Sequence, residues 1–191
     1  MEKILKQGVE PDAYRDTGYL GASGSTILMR SSCKGFANIV DLLLKAGAEV
    51  EAKDNCGRTA LIEASRWGHV KCVEKLIAAG ANVDAQDIDA DFPLILAAYL
   101  GHGDIVGLLL EAGAQPDLTR RCIGSKNNPR AAHMDGKSAL IVACEYSRLE
   151  IVQMLLGAGA SKNLQDHAGK SPLDYASMTR NNAKIIDLLT S

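Results

Sequence analysis

The strongest constraint on this chain is a segment that recurs along its length. Four versions of it, LLLKAGAEVEAKD, LIAAGANVDAQD, LLLEAGAQPDL and LLGAGASKNLQD, align on Gly47, Gly80, Gly113 and Gly159. The first three glycines are 33 residues apart, and the last interval is 46, which equals 33 plus a 13-residue insertion. A second block precedes each of them, for example RTALIEAS and KSALIVAC. A fixed period of this length predicts a repeat protein built from similar stacked units.

Each unit has the pattern of two short helices. The first is predicted from Thr59 to Trp67, and a Gly-His turn follows at Gly68-His69 and again at Gly101-His102. Glycine after the second helix suits a left-handed C-cap, and the polar stretch beyond it predicts a turn. One helix pair cannot bury its apolar face alone, so neighbouring units must stack. The second helix of one unit carries apolar residues at helical spacing, namely Ile105, Val106, Leu108, Leu109 and Leu110.

These blocks resemble the ankyrin repeat, whose pattern runs G-x-T-P-L-H-x-A-A, then G-H, then a leucine-rich helix ending in G-A-D-V-N-A. The resemblance covers nearly the whole chain. It implies an all-α solenoid of helix-turn-helix units with hairpin finger loops, and a concave binding face formed by the first helices and the fingers. The chain departs from the pattern at its histidine, where apolar packing is expected instead. The residues at that position are Met29, Ile62, Ile95, Ile141 and Asp174.

The repeat register divides the chain into one domain, residues 1–191. The second helix of the last unit, NAKIIDLLTS, carries Asn181, Asn182, Lys184 and Asp187, which predict the polar outer face that a terminal repeat needs. The predicted units are a half repeat at 1–22, repeats at about 23–56, 57–89, 90–135 with the 13-residue finger insertion, and 136–168, and a C-terminal capping repeat at 169–191.

Composition excludes several classes of protein. The net charge is −2 and the sequence pI is about 6.1, which gives no reason to expect nucleic-acid binding. The sequence contains no stretch of eighteen apolar residues, so it predicts no membrane-spanning helix. The five cysteines are odd in number and contain no C-x-x-C pair, which favours reduced thiols and an intracellular setting. That setting is the cytoplasm, the nucleus, or the host cytosol for a bacterial effector, and we expect a monomer.

The resemblance places the residues just before each Gly-His turn on the concave face. Trp67 is the chain's only tryptophan, and aromatic residues and arginine are enriched at interface hot spots. The alternative is that these side chains pack between the first helices. We favour a partner site, an apolar groove flanked by polar finger residues. The groove residues are Arg66, Trp67, Tyr99, Leu100 and Tyr146, and the flanking residues include Lys53, Arg58, Asp89 and Asp91.

The long insertion, residues 119–137, has a basic composition and follows an acidic finger. Its cations oppose only Asp135, and two interpretations are open. The insertion folds back on the acidic finger, in exposed pairs of little energetic value. Alternatively, it binds an anionic ligand: an acidic peptide, a phosphate or a nucleic acid. The insertion's cations are Arg120, Arg121, Lys126, Arg130 and Lys137, and the acidic finger carries Asp84, Asp87, Asp89 and Asp91.

No catalytic pattern is present, and we predict that the protein is not an enzyme. His69 and His102 belong to Gly-His turns, where a hydrogen bond to the backbone is the usual role. Cys122 and His133 share the insertion, but two ligands do not make a metal site. GASGS at residues 21–25 lacks the lysine of a phosphate loop. We therefore expect no catalytic residue, metal or cofactor, and a partner that is another protein or peptide.

Overall fold

A computed structural model describes residues 24–120, 136–179 and 182–191. The predicted half repeat at 1–22 and the body of the insertion lie outside these ranges. The described residues form ten helices and no strand, with one isolated antiparallel bridge between Thr119 and Ser138. The helices are α1 (Ile27–Cys33), α2 (Ala37–Lys45), α3 (Ala60–Trp67), α4 (Val70–Ala78), α5 (Pro93–Leu100), α6 (Gly103–Glu111), α7 (Ala139–Glu145), α8 (Leu149–Gly157), α9 (Pro172–Met178) and α10 (Ala183–Thr190).

A Thr or Ser is the N-cap of four of the five first helices, α1, α3, α7 and α9, one residue before each helix begins. Phe92 takes this position before α5 and makes no side-chain capping bond. The side-chain oxygen of Thr59 accepts a hydrogen bond from the backbone N–H of Ile62, and Ser138 does the same for Ile141. Ser171 forms a full capping box with Asp174. Each bond satisfies an N–H that the helix itself leaves unpaired. The recurrent Thr or Ser therefore fixes where these four helices begin, whereas α5 begins at Pro93, a residue suited to the first helical position.

The helices form two layers. The first helices α1, α3, α5, α7 and α9 contact one another in order, and so do the second helices α2, α4, α6, α8 and α10. The core lies between the two layers and between neighbouring helices of each layer. In α7, every residue from Ala139 to Cys144 has no exposed surface. Where the family pattern has histidine, apolar side chains fill the core as expected. Met29, Ile62, Ile95 and Ile141 are each at most 2% exposed, whereas Asp174 is exposed and caps its own helix.

The Gly-His turns join each repeat to the previous one. His69 Nε2 lies 3.0 Å from the carbonyl oxygen of Cys33, so its ring N–H donates to the end of α1. Gly68 adopts φ +76°, and a Cβ placed there would lie 2.7 Å from Cε1 of His102 in the next repeat. These turns therefore hold a close contact between repeats that only glycine allows.

The terminal helix α10 differs from the prediction at Asn182. Lys184 and Asp187 are exposed, as a capping face requires, but Asn182 is only 4% exposed. Its side-chain amide donates to the carbonyl oxygens of Cys144 and Ala176. The prediction that Asn182 belongs to the polar outer face is therefore wrong, because its amide ties α7 to α9. Asn181 lies outside the described residues.

The contact at Gly68 can be tested against Gly80, which also has positive φ (+86°) but has open space around its Cβ position. We expect Gly80→Ala to cost about 1 kcal/mol, for the left-handed backbone alone. Gly68→Ala should cost a further 1–3 kcal/mol, roughly, because the histidine ring of the next repeat must move. Urea unfolding of the two variants measures the difference. Equal losses of stability would show that the Gly68–His102 contact does not couple the repeats.

Candidate functional site

The exposed apolar side chains of the first helices lie at equivalent or adjacent positions in successive repeats. Trp67 is 58% exposed, Leu100 and Tyr146 are each 37% exposed, and Met178 is 63% exposed. Lys34 occupies the position equivalent to Trp67 in the first described repeat and is also exposed. We call the four apolar residues Trp67, Leu100, Tyr146 and Met178 the inner strip. Met178 was not among the predicted site residues, although its repeat position was the available signal.

The aromatic rings of this surface are held in defined orientations. Tyr99 and Tyr146 form an edge-to-face pair across two repeats, with ring centroids 5.0 Å apart and planes at 88°. The indole N–H of Trp67 donates to Glu63 Oε2 at 3.1 Å. Tyr99 is half-buried, so packing between first helices accounts for part of its surface. Trp67, Leu100 and Tyr146 remain accessible and are oriented before any partner arrives.

A repeated aspartate organises the fingers beneath the inner strip. In the first described finger, Asp54 Oδ1 accepts the backbone N–H groups of Cys56 and Arg58. Asp87 and Asp166 accept the equivalent pairs of N–H groups in their own fingers. Each carboxylate is 7% exposed. These aspartates therefore close the finger hairpins from inside the protein.

The third finger has Arg120 at the equivalent position. Its side chain is 2% exposed, and its Nε lies 2.8 Å from Asp91 Oδ1 and 3.0 Å from the carbonyl oxygen of Asp89. Arg66 reaches Asp87 and Asp91 from α3, at 3.4 Å each. At this end the basic insertion does contact the acidic finger, but through a buried ion pair rather than an exposed one.

The other end of the insertion is also anchored by a buried cation. The N–H of Arg120 donates to the carbonyl oxygen of Lys137, which closes the hairpin base. Lys137 is 1% exposed, its Nζ lies 2.8 and 2.9 Å from the Glu145 carboxylate oxygens, and it faces the Tyr175 ring at 4.5 Å. Two of the insertion's five cations thus hold the fold together. Arg121, Lys126 and Arg130 lie outside the described residues.

The predicted polar residues have different surroundings. Lys53 is exposed, and its Nζ donates to the carbonyl oxygen of Gln86. Arg58 is half-buried between Asp54 and Glu63. A cleft of about 280 Å³ is lined by Cys56, Arg58, Glu63, Arg66, Trp67, Asp87 and Asp89. Asp91 and Arg120, predicted as partner contacts, are 4% and 2% exposed and are engaged inside the protein. They support the surface from below rather than forming part of it.

Within the described ranges, no three His, Cys, Asp or Glu side chains are grouped as a metal ion would need, and no helix is long and apolar enough to cross a membrane. Cys33, Cys56, Cys72 and Cys144 are free thiols. Burial raises the pKa of the Cys144 thiol to about 12, so at neutral pH it is a protonated core side chain and not a nucleophile.

Asp87 carries the largest electrostatic strain of the fingers. Burial, together with the like charges of Asp91 and Asp89, raises its pKa to about 6, although the backbone N–H of Asp91 and the Arg66 guanidinium act in the opposite direction. The folded protein thus holds this proton more tightly than the unfolded chain does. The contribution of Asp87 to stability is largest below its ordinary pKa of about 4 and is lost as the pH rises through about 6.

Replacing Asp87 by asparagine tests this strain. Asp87→Asn keeps an oxygen that accepts the two finger amides and removes the titration. Relative to the variant, the wild type should gain about 1–3 kcal/mol of unfolding free energy as the pH falls from neutral to about 4. Urea unfolding at several pH values checks it. Stability curves that stay parallel would contradict the raised pKa.

The buried pair Arg120–Asp91 can be tested by exchanging its charges. Asp91→Arg or Arg120→Asp alone should cost about 3–5 kcal/mol, because each leaves buried like charges together. The double variant should recover most of this loss. In the double variant, each of the two fingers would carry an acidic residue followed by a basic one, as the first described finger does with Asp54 and Arg58. Thermal or urea unfolding of the three variants measures the coupling, and additive single losses would exclude it.

Comparison with known proteins agrees with this architecture. The family model for ankyrin repeats matches three times, over residues 1–87, 28–120 and 94–191. The chain is also similar to the nuclear factor NF-kappa-B p110 subunit of Drosophila melanogaster, with 48% identity over 42 residues. That match spans 22% of this chain and 4% of the Drosophila protein. Repeat matches that together span the chain, with stacked helix pairs, capped first helices and hairpin fingers, place this protein in the ankyrin-repeat family.

Proposed function

We propose that the protein is a non-enzymatic protein-interaction module, acting as an adaptor, scaffold or inhibitor, and that its partner binds along the inner strip. The observation that supports this most is the alignment of exposed apolar side chains at equivalent or adjacent positions of four successive repeats. Scattered single apolar residues are normal on a protein surface, whereas an aligned set marks an interaction site. The family generally mediates protein–protein interaction, which agrees with this use of the surface.

The arrangement also suits the energetics of recognition. Trp67, Tyr99 and Tyr146 already have their rings positioned, by the bond to Glu63 and by the edge-to-face pair. Little side-chain entropy is then lost when a partner covers them. Aromatic residues with a half-buried arginine beside them have the composition of a hot spot. Because the strip extends along the stack, an extended or helical segment of the partner fits it better than a single small ligand.

The alternative function is binding of an anionic ligand by the insertion. Arg120 and Lys137 are buried in ion pairs, so they do not supply this function. The proposal then rests on Arg121, Lys126 and Arg130 alone. We therefore place the inner strip first. We further propose that the module acts inside the cell, since the described cysteines are free thiols. We also propose that it acts as a monomer.

The leading proposal predicts a difference between two residues of equal exposure. Leu100 lies in the inner strip and Met154 lies on the second helix α8, and each is 37% exposed. Peptides selected from a random linear peptide library on the wild-type protein should bind Leu100→Asp at least about tenfold more weakly, because a charge replaces apolar contact. Met154→Asp should bind them as the wild type does. Fluorescence anisotropy with synthetic copies of the selected peptides gives the affinities.

Circular dichroism and urea unfolding of both variants provide the control for folding. Both side chains are accessible, so neither substitution should disturb the core. If the selected peptides bind Leu100→Asp and the wild type equally, the inner strip is not the binding site. Loss of binding in both variants would indicate a nonspecific effect of added charge and would also contradict the proposal.

A further inference from the structure

The charged residues of the first helices and fingers are not evenly distributed along the stack. Over residues 27–34 and 53–67 this surface carries five cations and two carboxylates, and both carboxylates are buried. Over residues 86–100, 119–120, 136–146 and 165–179 it carries three cations and six carboxylates, and Asp89, Glu145, Asp174 and Lys170 are the ones that are not buried. The cations of the first group are Arg30, Lys34, Lys53, Arg58 and Arg66, and its carboxylates are Asp54 and Glu63.

The exposed apolar side chains have the opposite distribution. The inner strip begins at Trp67 and continues to Met178, and the position before it in the repeat series is Lys34. The surface therefore has two parts, a cationic end over the first described repeat and an apolar run over the following ones. A partner segment that follows the stack meets both parts in order.

Two lysines of the cationic end have no carboxylate partner among the described residues. The side chain of Lys34 has no hydrogen bond or ion pair in that part of the chain, and the Nζ of Lys53 donates to the carbonyl oxygen of Gln86. Arg58 and Arg66, by contrast, are engaged with Asp54, Glu63, Asp87 and Asp91 below the surface. The exposed cations of this end are therefore Arg30, Lys34 and Lys53, and the two lysines are the ones without a carboxylate partner among the described residues.

From this arrangement we infer that the partner segment is acidic at one end and apolar at the other, with its carboxylates against Lys34 and Lys53 and its apolar side chains against the inner strip. The inference rests on the proposed function and adds the chemistry of the partner segment and the order of its acidic and apolar parts along the stack. Charge complementarity of this kind fixes the register of an elongated ligand, and like charges at the wrong end would be repelled. A nucleic acid fits the site poorly, because its charge continues along the whole chain and would meet Asp89, Glu145 and Asp174 beyond Trp67.

The peptides selected on the wild-type protein test the inference. Those that need Leu100 should be enriched in Asp and Glu toward one end, and higher salt should weaken their binding. The double variant Lys34→Glu/Lys53→Glu should lower their affinity by about tenfold, since each exposed charge pair changes affinity only a few-fold. The matched control Lys71→Glu/Lys184→Glu reverses two exposed lysines of the second helices α4 and α10 and should change it by less than about twofold.

The outcomes separate this inference from the proposed function. Selected peptides that need Leu100 but are neutral or basic would overturn the inference and leave the proposed function standing. So would acidic peptides that bind the Lys34→Glu/Lys53→Glu variant and the control variant equally well. If no selected peptide needs Leu100, both proposals fail together.

Discussion

Stacking between neighbouring repeats is the constraint on which this structure depends. A single helix pair cannot bury its apolar face alone, and α3, α5 and α7 each pack between the first helices on either side. The small side chains of α7, with no exposed surface from Ala139 to Cys144, show how closely the layers approach. Such packing leaves few positions in each first helix free to face solvent. The inner strip occupies those positions, so the stack itself decides where a binding surface can form.

The fingers add a second level of order through buried charge. Taking ions out of water costs several kcal/mol each unless good partners are present, and removing one partner is strongly destabilising. Three fingers satisfy their aspartate with their own backbone N–H groups. In addition, an ion pair between Asp91 and Arg120 joins the second finger to the third. These two fingers are therefore coupled, and the described ends of the insertion are fixed by Arg120 on one side and Lys137 on the other.

The repeat period alone predicts the helix pairs, the turns and the order of stacking, because each depends on residues close in sequence. Burial of polar groups does not follow in the same way, since it depends on the neighbouring repeat. Arg120 and Lys137 belong to a basic stretch and predict a charged loop, yet both are buried. Asn182 has a polar side chain near a chain end, yet it bridges two first helices. The repeat register does contain one indication that Arg120 has a structural role, because it lies at the position of Asp54, Asp87 and Asp166 in the other repeats.

The proposed binding surface and the residues that stabilise the stack are different parts of this protein, and that separation follows from the architecture. The core is formed by side chains that face neighbouring repeats, and the finger network lies below the surface. The inner strip and Lys34 contribute little to either, because they are exposed. Changes there can alter what is bound without weakening the stack, whereas changes at Arg120 or Asp91 affect the scaffold first. A rigid stack also presents the strip in its binding geometry in advance, which limits the entropy lost on association.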